Sequence, residues 1–378
     1  MKKFLALLVI LLLVFVAALA WLPHAPAAAP AAPAETAETA ESPLPAPGRV
    51  DFEALYDAYP AETVYARIGD RTLTWGEYYE WLGNAVLREE SYMESTQSYG
   101  LEEGWSDVLS DGSTRADALI RELNLNLLTM TANERYAAEM GVSVSEEELD
   151  AMQAEYARAN LGEDASAEDW SALLKLNFYT ERLFRELLKS DLLLSRVMEQ
   201  RFGANGEKLS TARLQHFIED NRLVCCSYLV FLTSDAAEGE AAQIAALAAD
   251  IAAELQGVTG SAARIERFEA LAAELTEAGR AVPVEQLIFQ EGSAAALIEE
   301  GCAGLGEGEV SEVLSDSYGY YVFIRLPITA ASILDDGSRI GAYAASYAVV
   351  AERDEHAAGL DFVYAEGVTP IRLTDYLA

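Results

Sequence analysis

Histidine is scarce in this sequence, which contains only His24, His216 and His356 among 378 residues. Enzymes of the Ser-His-Asp or Cys-His kind need a histidine beside the nucleophile, and many zinc sites use several histidines. Neither arrangement can be assembled from these three residues. We therefore expect no histidine-activated nucleophile, no metal and no cofactor, and we expect surface positions for His216 and His356.

Positive charge is also in short supply. The chain has 26 basic residues against 62 acidic ones, and its formal net charge is −36. Such a chain is repelled by nucleic acid and by anionic lipid headgroups, and it has no basic patch of the kind that a nucleic-acid-binding protein needs. Nucleic acid is thus excluded as a partner. We interpret the acidity as a solubility feature in preference to a site for a specific basic partner.

The chain has only three cysteines, Cys225, Cys226 and Cys302. Adjacent cysteines rarely pair with each other because the bridge would be strained, and an odd number leaves at least one free thiol in an exported protein. All three can be small buried residues of strands. A disulfide from Cys302 to one of the other two is the alternative, and both interpretations remain open.

The N-terminal residues have the pattern of a targeting segment. Lys2 and Lys3 precede an uncharged apolar run of 19 residues that ends at Leu22. We predict that residues 1–22 are a signal peptide or a membrane anchor, and either one places the rest of the chain outside the cytoplasm. Residues 23–50, with seven of the eleven prolines, are predicted to be an extended Pro/Ala-rich linker. Membrane contact is expected only through the N-terminal segment.

Residues 64–221 are predicted to form a mostly helical module. Order is expected to begin near Val64 with a small hairpin over residues 64–74, because two alternating runs flank a Gly-Asp turn. Thr74 and Glu77 have the spacing of a capping box at the start of the next helix. Residues 114–140 read as a long helix, residues 167–201 as another long helical stretch rich in leucine, and residues 95–113 as polar and irregular.

Residues 223–327 have the pattern of a second domain, in which strands and helices alternate. An apolar strand is predicted over 223–232, two helices over 238–255 and 264–275, and a short strand over 285–290. A helix is expected over 293–303. The segment 304–326 then reads GLGEGEVSEVLSDSYGYYVFIRL, in which glycines and a Ser-Asp-Ser turn separate two strands of a hairpin.

The segment 304–326 resembles the end of the parvulin-type peptidyl-prolyl cis-trans isomerase domain, where the usual pattern is L-x-x-G-E-V-S-x-x-V and then G-Y-H. Here the second motif ends in Tyr321. Residues 223–232 are similar to the family's first strand, x-A-S-H-I-L-V, with Tyr228 at the histidine. Residues 268–272 resemble F-E-x-L-A, and residues 141–149 with their helical surroundings resemble the N-terminal module of SurA- and PrsA-type foldases.

The resemblance implies a site whose five positions are all substituted. The family's two histidines correspond to Tyr228 and Tyr321, its acid or thiol to Ala278, and its Met/Phe wall to Ala294 and Ile298. Two phenols could form a hydrogen-bonded pair in place of two imidazoles, because a hydroxyl both donates and accepts. Packing of two aromatic rings on a sheet face is the alternative, and it is preferred.

Together these patterns predict an α+β protein. A mostly helical chaperone-like module would precede a small parvulin-like antiparallel sheet wrapped by helices, and residues 335–378 would return to the first module. The resemblance implies an exported foldase that binds unfolded or proline-containing polypeptides, with weak or absent isomerase activity. The alternative is a non-enzymatic cell-envelope scaffold with one dedicated partner. A solute-binding protein is disfavoured because residues 75–221 show no repeated βαβ units.

Overall fold

The computed structural model describes residues 48–96, 100–233, 239–334 and 336–378. The predicted signal peptide or anchor and nearly all of the predicted linker lie outside these residues. Within them, no helix is both long enough and apolar enough to cross a bilayer. The protein is α+β, and the described chain forms two compact units. The first unit is made of two segments of the chain, the described residues up to Val197 and Glu352–Ala378. The second unit is Met198–Ala351.

The helices are α1 Phe52–Tyr56, α2 Trp75–Thr96, α3 Leu101–Trp105, α4 Arg115–Glu139, α5 Glu146–Leu161, α6 Ala167–Leu176, α7 Glu181–Phe202, α8 Thr211–Asp220, α9 Glu240–Gly257, α10 Ser261–Glu277, α11 Ala296–Cys302 and α12 Ile340–His356. The strands are β1 Val64–Ile68, β2 Arg71–Thr74, β3 Leu223–Leu232, β4 Val282–Gln290, β5 Leu314–Ser315, β6 Gly319–Arg325 and β7 Phe362–Tyr364.

The first unit has a three-stranded antiparallel sheet in the order β2-β1-β7. The predicted hairpin and the capping box are confirmed, since β1 pairs with β2 and the side chain of Glu77 accepts from the backbone N–H of Thr74 at 2.8 Å. The core of this unit is rich in aromatic rings, and Tyr65, Trp75 and Tyr78 are fully buried. Because β7 lies near the C-terminus, both ends of the described chain contribute to this core.

Two local predictions for the first unit were wrong. Order begins before Val64, because the side chain of Asp51 caps the short helix α1. The stretch 95–113 contains the helix α3, whose Trp105 is fully buried. The helical stretch predicted over 167–201 consists of two helices, because Phe178, between α6 and α7, has a φ of 59°, and a left-handed residue ends a right-handed helix.

The second unit has a four-stranded antiparallel sheet in the order β4-β3-β6-β5. Helices α9 and α10 cover the face that carries Leu229 and Phe231 of β3. The predicted strand over 285–290 is longer and begins at Val282. It bulges at Gln286, which has a φ of 47° and donates its backbone N–H to the Ser227 hydroxyl at 3.0 Å.

The two units do not coincide with the predicted domains. Helix α8, predicted as part of the helical module, lies in the second unit, where Phe217 packs with Cys225 and Ile288 of the sheet. Of the predicted return segment, Glu352–Ala378 belong to the first unit and contribute β7, whereas the preceding residues belong to the second.

A single arginine ties the turn between α9 and α10 to the glycine-rich segment. The guanidinium of Arg264 donates to the backbone carbonyls of Leu255 at 3.1 Å, Val258 at 2.9 Å and Gly308 at 2.7 Å. Gly308 itself has a φ of 73°, and a Cβ there would lie 2.5 Å from the Cβ of Ser261. The glycine of the G-E-V-S motif is therefore needed both for its backbone conformation and for this close approach.

Replacing Arg264 with lysine should lower the free energy of unfolding of the second unit by about 2 kcal/mol. A planar guanidinium donates to all three carbonyl oxygens, whereas one ammonium group cannot reach all of them. Chemical denaturation measures the change. The matched control is Arg280→Lys, an exposed site, where a change within about 0.5 kcal/mol is expected. Equal stability of the two variants would contradict this role of Arg264.

Candidate functional site

The candidate site lies on the sheet face that is opposite to α9 and α10. We call this the tyrosine face. It is an apolar cluster built from residues of all four strands, from α11 and from the segment that leads into α11. Its members are Val224, Cys226, Tyr228, Val230, Leu287, Phe289, Ala294, Leu297, Ile298, Cys302, Leu314, Tyr321 and Phe323.

The two tyrosines that replace the family's histidines are on neighbouring strands. Strand β3 pairs with β6, so that Tyr228 is opposite Phe323 and Val230 is opposite Tyr321. The ring centroids of Tyr228 and Tyr321 are 6.3 Å apart, and those of Tyr228 and Phe323 are 4.7 Å apart with the planes tilted by 33°. The result is a cluster of three aromatic rings on one face of the sheet.

The hydroxyl of Tyr321 donates to the carboxylate of Asp316 at 3.0 Å. Asp316 also accepts the backbone N–H groups of Tyr318 at 2.8 Å and Gly319 at 3.2 Å, which fixes the turn between β5 and β6. Sequence reasoning did not assign Asp316 to the site. Its position three residues before the glycine of the G-Y-Y motif was the available signal, since aspartate often bonds the backbone of a turn.

The electrostatics keep both phenols neutral at physiological pH. Burial and the adjacent carboxylate of Asp316 raise the pKa of Tyr321 to about 12. Burial raises the pKa of Tyr228 as well. Burial alone would also raise the pKa of Asp316, but the hydrogen bonds from Tyr318, Tyr321 and Gly319 lower it. The site thus offers neutral hydroxyl groups and one anchored carboxylate.

The geometry of the two tyrosines is that of packed rings. Tyr321 bonds to Asp316, and among the described residues no hydrogen bond joins the hydroxyl groups of Tyr228 and Tyr321. The rings are held by packing with Phe323. The arrangement is that of packed aromatic residues, and the tyrosines do not reproduce a hydrogen-bonded pair.

The other predicted positions lie in different surroundings. Ala294 and Ile298 belong to the tyrosine face and are partly buried. Ala294 precedes α11, which begins at Ala296, and its backbone N–H donates to Glu299 at 3.0 Å. Ala278 is an exposed residue that ends α10, and the buried side of α10 packs in the cluster on the other sheet face. The structure therefore does not bring Ala278 together with the two tyrosines.

Two glycines allow the elements of the site to approach closely. A Cβ at Gly319 would lie 2.2 Å from the carbonyl oxygen of Phe231 on β3. A Cβ at Gly301 on α11 would lie 2.3 Å from the ring of Phe323. Both distances are far below van der Waals contact, so that glycine is required where β6 meets β3 and where α11 meets the tyrosine face.

The sheet face that α9 and α10 cover bears a groove of about 680 Å³, which lies between α10 and the bulge of β4. Its lining includes Phe268, Pro283 and the acidic side chains of Glu269, Glu277 and Glu285. Since Ser227 points into this groove and Tyr228 points the other way, the groove and the tyrosine face lie on opposite sides of the sheet.

His216 and His356 are not members of the tyrosine face, and His24 lies outside the described residues. His216 is an exposed residue of α8, 3.3 Å from Asp220. His356 ends α12, and its ring Nδ1–H donates to the carbonyl oxygen of Glu352 at 2.8 Å. In the described part of the chain, no three His, Cys, Asp or Glu side chains are grouped so that they could hold a metal ion.

No protein-family model and no curated protein matches the sequence. Among solved structures, PrsA from Bacillus subtilis is 18% identical, over 79% of this chain and 93% of that one, with a TM-score of 0.23. The foldase protein PrsA from Streptococcus pneumoniae is 11% identical over 82% and 98%, with a TM-score of 0.21. A structure of SurA-like chaperones from Campylobacter jejuni is 11% identical over 80% and 99%, with a TM-score of 0.22. TM-scores this low carry no argument about the function of this chain.

Proposed function

We propose that this chain is an extracytoplasmic foldase of the PrsA/SurA-like class that binds unfolded, proline-containing exported polypeptides and has weak or absent prolyl isomerase activity. The observation that carries the proposal is the pairing of β3 with β6, which sets Tyr228 and Tyr321 on one face of a small antiparallel sheet. This sheet is formed by the part of the sequence that resembles a parvulin-type domain. Membrane contact would occur only through the N-terminal segment.

The chemistry of prolyl isomerisation explains how a chain can bind proline-containing polypeptides and yet accelerate their isomerisation little or not at all. The reaction breaks no bond, and its barrier of about 20 kcal/mol comes from amide resonance. A protein accelerates it by holding the twisted amide in a desolvated pocket. An apolar surface alone, such as the partly exposed one formed by Tyr228, Val230 and Ile298, is sufficient to bind a proline ring or an aliphatic side chain.

Hydroxyl groups would assist catalysis only if their protons were available to the amide as it twists. The hydroxyl proton of Tyr321 is instead donated to Asp316, which also accepts two backbone N–H groups. The ring of Tyr228 packs against that of Phe323. Because the proton of Tyr321 is already engaged and both phenols are neutral, we expect little differential stabilisation of the twisted amide.

The expected result of a proline-peptide isomerisation assay on the full chain is a rate within about two-fold of the uncatalysed rate. The double variant Tyr228→Phe with Tyr321→Phe should leave this rate unchanged. Tyr318→Phe is the matched control, since Tyr318 is 64% exposed and lies outside the tyrosine face. Strong acceleration that is abolished in the double variant and retained in the control would show that the site is catalytic.

Client binding is tested separately by suppression of aggregation of several unrelated unfolded proteins. Broad protection is expected for a foldase. Absence of protection for every client, together with recovery of one dedicated partner, would overturn the proposal in favour of the envelope scaffold.

A further inference from the structure

The three cysteines are divided between the two faces of the sheet of the second unit. Cys225 packs with Phe217 and Ile288 on one face. Cys226 packs on the tyrosine face, in the same cluster as Cys302 of α11. Because successive residues of a strand point to opposite faces, Cys226 and Cys302 can meet, whereas Cys225 is turned away from both.

The side chains of Cys226 and Cys302 share one buried apolar cluster, and each thiol is the main influence on the pKa of the other. Cys226 is fully buried and Cys302 is 6% exposed. The guanidinium of Arg325, which is opposite Cys226 in the β3–β6 pairing, favours a thiolate at Cys302. The thiolate is the nucleophile in disulfide exchange.

We propose that Cys226 and Cys302 form an intramolecular disulfide in the oxidised protein, with Cys225 left as a free thiol. The oxidant is an external disulfide, either a small one such as glutathione disulfide or that of a thiol oxidoreductase. The thiolate of one of these two cysteines attacks one sulfur of the external disulfide and displaces the other as a thiolate. The thiolate of the second cysteine then attacks the sulfur of the first, which breaks the mixed disulfide and releases the second external thiol.

The two cysteines lose two protons and two electrons, and the external disulfide gains them and becomes two thiols. Because both sulfur atoms are buried in the folded unit, exchange takes place while the chain folds, before α11 closes over β3. Once formed inside the apolar cluster, the bridge is protected from reducing thiols in solution.

The bridge would join the strand that carries Tyr228 to the helix that carries Ile298. Gly301, next to Cys302, already brings α11 against the ring of Phe323. The cross-link would therefore fix the helix on the tyrosine face and limit its movement away from the sheet. The effect on client binding rests on the proposed function, but the formation of the bridge does not.

The experiment is oxidative refolding of the full chain in a mixture of reduced glutathione and glutathione disulfide, followed by titration of free thiols in denaturant. Three cysteines are present, so that the expected thiol counts are about one for the wild type, none for Cys225→Ser, and two each for Cys226→Ser and Cys302→Ser. Mass spectrometry should show the wild type about 2 Da lighter when oxidised, because two hydrogens are lost.

The melting temperature of the oxidised wild type should exceed that of the reduced form by about 10 °C, because the cysteines are 76 positions apart and the bridge closes a long loop. Cys225→Ser should show the same difference, and the other two variants none. Three free thiols in folded wild type at every glutathione ratio, or a bridge that includes Cys225, would overturn the proposal. These readouts on the wild type do not depend on whether a variant folds, and they are separate from the isomerase and aggregation assays.

Discussion

The second unit is expected to lose about 3 kcal/mol of its free energy of unfolding when Gly319 is replaced with alanine. The added Cβ would lie 2.2 Å from the carbonyl oxygen of Phe231 and 3.0 Å from its carbonyl carbon. These are backbone atoms of the neighbouring strand, so that no rotation of a side chain can relieve the clash. Strand β6 would have to move away from β3, and Tyr321 would lose its register opposite Val230.

Chemical denaturation followed by circular dichroism measures this loss of stability. The matched control is Gly257→Ala at the end of α9, where an added Cβ would meet no heavy atom within 4 Å. That variant should be neutral or slightly more stable, because alanine favours the helix. If Gly319→Ala were as stable as Gly257→Ala, the close pairing of β3 with β6 at this point would be wrong, and with it the positions of both tyrosines.

Replacing Asp191 with asparagine is expected to stabilise the first unit by up to about 4 kcal/mol at pH 8 and by almost nothing at pH 4. Asp191 lies on α7 with only 9% of its surface exposed, and burial raises the pKa of its carboxyl group to about 7. Among the described residues, no hydrogen bond or ion pair holds this side chain. A buried carboxylate without a partner destabilises the folded state.

The direction of the pH dependence follows from the two pKa values of Asp191. The unfolded carboxyl group loses its proton near its ordinary pKa of about 3.9, whereas the folded one keeps it up to pH 7. Stability therefore falls as the pH rises from 4 to 7 and is constant above 7 with respect to this group. Glu148 acts in the opposite direction. Arg196 and the backbone of Ser145 lower its pKa to about 2, so that its contribution is lost only as the pH falls below about 4.5.

The measurement is the free energy of unfolding of the wild type and the Asp191→Asn variant at several pH values between 4 and 8. Asp164→Asn removes the same charge at an exposed position and should change stability by less than about 0.5 kcal/mol at any of these values. A wild type whose stability is flat over this range, or a variant that is less stable at pH 8, would show that the carboxylate of Asp191 is compensated in the folded protein.

The local elements could be predicted from the sequence where side chains bond to their own backbone. Thr74 with Glu77 forms the expected capping box, and Ser145 with Glu148 forms another, because such bonds span three residues and need no distant partner. The break between α6 and α7, inside the helical stretch predicted over 167–201, could not be predicted for the complementary reason. Phe178 adopts a left-handed conformation that its residue type does not favour, and the amide of Asn84, far away in sequence, bonds its carbonyl at 2.8 Å.

In the candidate site, too, some positions could be predicted from the sequence and others could not. Ser311 of the G-E-V-S motif exchanges hydrogen bonds of 3.0 Å with both backbone groups of Phe323, so that the motif sets the hairpin in which the site residues lie. Tyr228, Tyr321, Ala294 and Ile298 were named from the sequence, and they lie on one face. Ala278 was named on the same basis and lies elsewhere, since the end of α10 is positioned by packing on the other side of the sheet.

The sequence by itself determined the α+β class, the hairpins and helix starts, the shortage of histidine and the alternation of side chains along β3, because each of these depends on residue types and on spacings of two to four positions. Only the tertiary structure decided that Tyr321 bonds Asp316 and not Tyr228, that Cys302 shares a cluster with Cys226 and not with Cys225, and that Asp191 is buried with no partner among the described residues. Contacts of this kind join residues brought together by packing, and the burial that alters their chemistry does not exist until the chain has folded.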